Sequence, residues 1–313
     1  MKHHILFLNM ICSSVMLLIS CTGGSENASF NKPEYKGLII AEEINSLRSG
    51  VKMLKANGNA VDAAVSMAMT LVQTLPSRAS LTGSGMCKVY IKNHDTALVY
   101  DFRKPNTFVR AMYMMHTEFG DLGYNAALTV PELLANTGYK PDKILLEDIK
   151  NASKVPPRYL KISEKSRVTN KELARLYSDI RTNPVKGYYN NTVKNKINAD
   201  EEFLSLKPDV YEDNGQNVNH TGQGTTDFAV TDANGSAVVC SISNGNLFGS
   251  GKEINGMISP QGSEDYLPGI RIETKRRQIN KAVTSKNDMI QCTDGTDCDA
   301  TVNDKTYIYR VIR

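Results

Sequence analysis

The sequence contains no run of like charge longer than three residues, and its 37 basic and 33 acidic residues leave a net charge of only +4. A nucleic-acid-binding face needs clustered cations, so that class of partner is excluded as the leading idea. Histidine is scarce. His94, His116 and His220 follow the amino-terminal segment, none with a Cys or carboxylate at ligand spacing, so neither a metal nor a cofactor is expected. Past residue 20 no apolar stretch approaches the length that spans a bilayer. Apolar residues at 41%, charged residues at 22%, 22 Gly and 11 Pro exclude coiled-coil, collagen-like and wholly disordered chains. With 313 residues the chain can form one large or two modest domains with a sizeable core, so disulfides need not replace one.

What is present starts with a basic Met1-Lys2-His3-His4 and an apolar stretch from Ile5 to Ile19 broken only by Asn9, Ser13 and Ser14. This reads as an export signal over residues 1–20, since about fifteen residues is short for a membrane span of roughly twenty. Its end, Leu18-Ile19-Ser20-Cys21, resembles the bacterial lipobox. That implies lipidation of Cys21 and a protein held to a membrane of the bacterial cell envelope by acyl chains, on its periplasmic or extracytoplasmic face. Residues 21–36, rich in Gly, Ser and Asn, read as a tether. Cys87, Cys240, Cys292 and Cys298 then remain in an oxidising compartment. Cys292 and Cys298 either close a local disulfide or stay as two thiols.

In the body, Ile44, Leu47, Val51 and Leu54 recur at helical spacing and Gly58 provides a stop, which predicts a helix to Lys55. Asn59 with Asp62 three residues on suits the start of a second helix, apolar on nearly every side and ended by Pro76, hence buried. Strand-like runs follow at Cys87 to Lys92 and Ala97 to Phe102. Residues 128–206 turn to helical periods, for example Lys171 to Arg181 and Asn190 to Ile197. Thr225 to Ile242 alternates about a turn at Ala233-Asn234-Gly235 and reads as a β-hairpin. Beyond Gly256 the chain reads as loop, with one strand from Thr306 to Ile312.

Two separated segments carry a family resemblance. The first runs Ser49-Gly50-Val51-Lys52-Met53-Leu54-Lys55-Ala56-Asn57-Gly58-Asn59-Ala60-Val61-Asp62-Ala63-Ala64-Val65, followed by Asp101-Phe102-Arg103. The second runs Thr225-Thr226-Asp227-Phe228-Ala229-Val230-Thr231-Asp232, then Gly235-Ser236-Ala237-Val238 and Phe248-Gly249-Ser250-Gly251. Both resemble the γ-glutamyltranspeptidases, a family of N-terminal nucleophile hydrolases. The resemblance implies an α/β fold, the family's αββα sandwich in truncated form. It also implies a chain that cuts itself between Gly224 and Thr225, giving a large-subunit-like region 37–224 and a small-subunit-like region 225–313 that stay associated. Thr225 is then the nucleophile, with its own freed amine as base. Arg103 matches the arginine that grips the glutamate α-carboxylate, a bidentate task that suits Arg better than Lys. The implied partner is a small γ-glutamyl substrate similar to glutathione.

The hairpin gives an independent geometric argument. A three-residue turn with a bulge, Gly235 taking the left-handed conformation, puts Ser243 opposite Thr225 with both hydroxyls on one face, whereas a two-residue Asn-Gly turn puts Asn244 there. Where the family carries an Asn two residues beyond the Ser243 position this chain has Gly245, flanked by Asn244 and by Asn246, a candidate substrate contact. Other departures are larger. Arg103 is followed by Lys104-Pro105-Asn106, the Gly-rich stretch shrinks to Ser80-Leu81-Thr82-Gly83-Ser84-Gly85, and the family's Asp and paired Ser for the γ-glutamyl group are missing. The only remnant of its Gly-Gly oxyanion site is Ser259-Pro260-Gln261-Gly262-Ser263, with Gly262 and Ser263 as candidates. Two functions therefore compete: a γ-glutamyl hydrolase or transferase, and a catalytically degenerate lipoprotein relative with a binding or structural role.

Overall fold

The computed structural model of the chain describes residues 35–189, 206–215, 222–262, 268–303 and 305–312. In chain order the elements are β1 (Tyr35–Ala41), α1 (Ile44–Lys55), α2 (Ala60–Thr74), β2 (Ser84–Ile91), β3 (Thr96–Asp101), α3 (Phe108–Phe119), α4 (Tyr124–Thr137), α5 (Lys143–Asn151), α6 (Lys171–Thr182) and α7 (Pro184–Tyr189). Then come β4 (Asp209–Glu212), β5 (Thr225–Asp232), β6 (Ala237–Ser243), β7 (Glu253–Ile254), β8 (Met257–Ile258), β9 (Arg271–Thr274), β10 (Ile279–Val283), β11 (Met289–Cys292), β12 (Cys298–Thr301) and β13 (Tyr307–Ile312).

Seven strands form one antiparallel sheet in the order β13-β1-β5-β6-β2-β3-β4. Alternation splits its side chains between two cores. Ile39, Val89, Phe228, Val230, Val238 and Cys240 pack with the helices, while Leu38, Ile40, Met86, Ala229 and Val239 pack against Ile279, Ala282 and Ile290 of a second sheet, β12-β11-β10-β9. The second sheet turns Gln291 and Asp299 outward as exposed polar residues. The architecture is thus helices, sheet, sheet: the expected sandwich with its second helical layer absent among the described residues. Strands from before and after residue 225 alternate in the large sheet, so the two expected regions form one body around it.

The first two helices follow their sequence signals. Glu43 caps α1 by accepting from the N–H of Asn45 and Ser46 at 3.0 and 2.6 Å, and Leu47, Val51 and Leu54 are buried. Asn59 and Asp62 form a reciprocal capping box at the start of α2, none of whose residues is more than 3% exposed. Asp62 does more than cap its own helix. It also accepts from the N–H of Asp121 and Leu122 at 3.1 Å each, and His116 Nε2 lies 2.9 Å from its Oδ1. Burial raises the Asp62 carboxyl, but His116 and these three N–H groups outweigh it and hold the group below the usual carboxylate range.

Two expectations need correction, and the open alternative at Cys292 and Cys298 is decided. The region beyond Gly256 is not loop: it holds β8 to β12 before β13, in strands so short that each shows only one or two inward apolar residues, too few for a visible period of two. Strand β1 begins at Tyr35, inside the expected tether, and its continuous Leu38-Ile39-Ile40-Ala41 run shows no alternation because both faces are buried. Both cysteine pairs are bridged, Cys292–Cys298 across β11 and β12 and Cys87–Cys240 across β2 and β6. The export signal, the helix expected at Asn190 to Ile197, His220 and most of the tether lie outside the described residues.

Asp62→Ala strips an acceptor from three N–H groups and leaves the buried His116 without its carboxylate, so it should lower the unfolding free energy by about 3–5 kcal/mol. Urea titration of the variant checks this, and a loss under about 1 kcal/mol would show that Asp62 is not the tie between α2 and the turn after α3.

Candidate functional site

The β5–β6 turn decides where the candidate residues meet. Gly235 adopts φ +81°, Asp232 Oδ1 accepts from the N–H of Asn234 and Ser236 at 2.9 and 3.0 Å, and Thr231 pairs with Ala237. The three-residue reading of the turn is the one observed. Thr225 consequently pairs with Ser243, and Ser243 pairs in turn with Ser84 of β2. Cross-strand partners share a face, so three hydroxyls line up at one end of the sheet, on the side toward the second sheet. Thr225 Oγ1 lies 2.9 Å from Ser243 Oγ, and both residues are fully buried. The N–H of Gly245 donates to Ser243 Oγ at 2.9 Å, which fixes that hydroxyl from behind.

The peptide bond ahead of Thr225 is also held. The carbonyl oxygen of Gly224 accepts from the N–H of Asn244 at 2.9 Å and from Ser243 Oγ at 3.3 Å. Two donors on one carbonyl are what an attack on that carbon by Thr225 Oγ1 would need, since the oxygen gains charge as the carbon becomes tetrahedral. The Gly262 region reaches this rim. Gln261 donates its N–H to Asn244 O at 2.9 Å and accepts from the N–H of Asn246 at 3.3 Å, and the space a Cβ would occupy at Gly262, φ +71°, is open. Asn246 is therefore beside the hairpin end through its main chain. Ser263 and Cys21 lie outside the described residues.

Arg103 follows β3, two strands beyond β6. Ser84 Oγ donates to Arg103 O at 3.3 Å, which puts the arginine at the same sheet end as Thr225, three strand spacings or about 14 Å across. Its guanidinium is engaged by Asp101, with Nε 2.9 Å from Oδ1 and Nη2 2.5 Å from Oδ2, while its side chain stays 29% exposed. That pairing, chiefly the hydrogen bond, raises the Arg103 pKa further. Asp101 is buried, so Arg103 is no ordinary surface residue: replacing it disturbs a carboxylate that has little access to water.

Several residues around Thr225 carry no sequence signal of a site. Thr225 O accepts from Arg78 Nη1 and Lys286 Nζ, each at 3.3 Å. Glu42 and Asp148 accept from these cations, and Asp227 on the same face accepts from Ser241 and Ser285 hydroxyls. They come from a strand end, a loop, a helix and the turn of another sheet, so no local spacing relates them. Among the described residues no group of three His, Cys, Asp or Glu side chains could hold a metal ion.

Residues 48–138 match a family model described as Gamma-glutamyltranspeptidase, a stretch that includes Arg103 but not Thr225. Over 81 residues the chain is 35% identical to the glutathione hydrolase proenzyme of Escherichia coli, and over 78 residues 33% identical to that of Pseudomonas aeruginosa. Each alignment covers 25% of this chain but 14% of the relative, so the likeness in sequence reaches only a small part of those proteins. In fold the match is broader. A crystal structure of cephalosporin acylase from Bacillus halodurans superposes over 89% of this chain and 76% of its own with a TM-score of 0.61 and 13% identity, which speaks to the fold alone.

Burial raises the Asp227 carboxyl, Lys286 pulls it back, Glu42 pushes it up again, and the Ser241 and Ser285 hydroxyls lower it; the balance is upward. A carboxyl raised on folding binds its proton more tightly in the folded chain, so this group's contribution to stability falls as pH rises from the ordinary carboxylate range through its folded pKa. Asp227→Asn cannot titrate. The difference in urea unfolding free energy between variant and unmutated protein should therefore move in favour of the variant between pH 4 and pH 8, and a difference independent of pH would contradict the upward shift.

Proposed function

We propose that this chain, a partial member of the γ-glutamyltranspeptidase family, is a γ-glutamyl hydrolase or transferase acting on glutathione-like γ-glutamyl compounds through an amino-terminal Thr225 that it makes by self-cleavage. The observation that carries this reading is the 2.9 Å contact between Thr225 Oγ1 and Ser243 Oγ beside a Gly224 carbonyl gripped by two donors. Cleavage begins when Thr225 Oγ1 gives up its proton and attacks the Gly224 carbonyl carbon, with negative charge growing on the oxygen that faces Asn244 N–H and Ser243 Oγ–H. Collapse breaks the Gly224–Thr225 C–N bond and the departing nitrogen takes a proton, leaving Gly224 esterified to Oγ1. Water hydrolyses the ester to a Gly224 carboxylate and a free Thr225 with an α-amine.

In turnover the amine accepts the Oγ1 proton as the oxygen attacks the γ-amide carbonyl of the substrate, and the leaving amine takes that proton away. The γ-glutamyl ester on Thr225 is then released by water, which is hydrolysis, or by an acceptor amine, which is transfer. Ser243 orients the attacking oxygen. Arg103, about 14 Å across the sheet end, receives the α-carboxylate, prepared for a planar acid by Asp101 behind it. Gly262 and Ser263 are the candidates for the oxyanion of turnover, and Asn246 for a further substrate contact.

After cleavage β5, β6 and β13 belong to fragment 225–313 and β1, β2, β3 and β4 to the other, interleaved in one sheet. The Cys87–Cys240 bridge joins the two covalently. In this reading the fragments stay together, and the mature protein sits on an envelope membrane through a lipid on Cys21. The competing reading, a degenerate relative, draws on the short coverage of the family and on a guanidinium already occupied by Asp101.

Purified protein should release glutamate from a γ-glutamyl anilide. Thr225→Ala should lower the rate by at least about 10³-fold, and Arg103→Lys should raise KM about 10-fold with a smaller effect on kcat. Turnover that survives Thr225→Ala would contradict the proposal, and a KM left unchanged by Arg103→Lys would remove Arg103 from the substrate site.

A further inference from the structure

Strand β1 is too short to flank the start of β5. Their ladder ends at Ala41 opposite Phe228, leaving Thr225, Thr226 and Asp227 without a β1 partner. In an antiparallel strand the N–H and C=O of one residue point to the same side, and that side alternates along the chain. The Asp227 N–H turns to the β1 side, where it meets Glu42 Oε2 at 3.4 Å. Thr225, two residues earlier, presents its main-chain nitrogen and oxygen to the same side, and its oxygen accepts from Arg78 and Lys286 there. Side chains thus take the place of the missing rungs.

The three groups come from three layers. Glu42 follows β1, Arg78 sits in the loop after α2, and Lys286 belongs to the β10–β11 turn of the second sheet. They are tied together: Lys286 Nζ lies 2.6 Å from Glu42 Oε1, Arg78 Nη1 lies 3.7 Å from Glu42 Oε2, and Arg78 is gripped by Asp148 through two bonds of 2.7 Å. Next to Lys286, Ser285 donates to Asp227, so the same turn touches β5 at alternate residues. Glu42 and Asp148 are buried and Lys286 is 23% exposed.

We propose that Lys286, acting with Arg78 and through Glu42, is a positioning residue that holds the main chain of Thr225. For self-cleavage this matters because Oγ1 must keep its approach to the Gly224 carbonyl, and a misplacement of about 1 Å can cost on the order of 10²-fold in rate. After cleavage it matters more. Thr225 becomes the end of a chain, and a strand end without ladder partners frays. The two cations on its carbonyl are then what keeps the new α-amine turned to the β1 side. The consequence for catalysis rests on the proposed function, whereas the clamp itself does not.

The test uses the full chain with Lys286→Gln and Lys286→Arg, each made with Thr225 intact and also with Thr225→Ala, which cannot cleave. In the Thr225→Ala background, Lys286→Gln should speed amide hydrogen exchange at positions 225 and 227 about 10-fold and leave β6 and β2 protected, while Lys286→Arg restores the protection. Unchanged exchange overturns the proposal whether or not the chain ever cleaves. A general loss of protection with a lower Tm also overturns it, by making Lys286 an ordinary stabilising ion pair. With Thr225 intact, Lys286→Gln should slow the appearance of fragment 225–313 about 10-fold and Lys286→Arg should slow it less. An unaltered rate removes the catalytic consequence, and a chain that never cleaves sinks the hydrolase reading while the exchange result still decides the clamp.

Discussion

The register of the β5–β6 hairpin is the constraint on which the site depends. A slip of one residue would turn Thr225 and Ser243 to the helical face and bring Phe228 and Cys240 out between the sheets, exchanging two cores at once. Asp232 is the peg. Besides its two bonds inside the turn, its Oδ2 accepts from the N–H of Ala60 at 3.0 Å, which anchors the turn to the start of α2. Burial raises the Asp232 carboxyl, offset by those N–H groups in part. The best-buried helix and the β5–β6 hairpin thus share one carboxylate, and both segments of the family resemblance meet there.

Legibility in the sequence follows how local each cause is. Asn59 and Asp62 act over three residues, and α2 starts where they place it. The Asp232 to Ser236 turn acts over five, and from it the Thr225–Ser243 pair follows by counting. Cys87–Cys240 depends on β2 lying beside β6, a neighbour relation between segments far apart in the chain, and no spacing within either segment announces it. The Glu42, Arg78 and Lys286 group is further out of reach, because its members serve a carbonyl rather than a motif. The second sheet is hidden for a different reason. Its strands bury single residues such as Ile279, Ala282 and Ile290 among polar neighbours, so no period of two marks them as strands.

The shortened architecture concentrates cost and opportunity at one sheet end. A second helical layer would bury the outer face of β9 to β12, but among the described residues no helix covers it, and Gln291 and Asp299 are exposed there. The Cys292–Cys298 bridge closes its far edge, and the β10–β11 turn ties it to β5 through Ser285 and Lys286. The layer without a helical cover among the described residues is also the one that brings Ser285 and Lys286 to β5. Integrity of the second sheet and geometry of the candidate site are therefore coupled, even though the residues matched to the family model include neither that sheet nor Thr225.

Whether Thr225 is released as an amino terminus decides between an enzyme and a relic, and the Cys87–Cys240 bridge shapes how this must be measured. Intact mass of the purified mature protein before and after reduction is the direct test. A self-cleaving chain gives a single unreduced species heavier than the uncut chain by one water, resolved by reduction into two, the smaller spanning 225–313 and beginning with Thr225. A reduced sample that still shows one uncut chain after long incubation contradicts this, and Thr225 is then a buried strand residue with a hydroxyl neighbour and no reaction to perform.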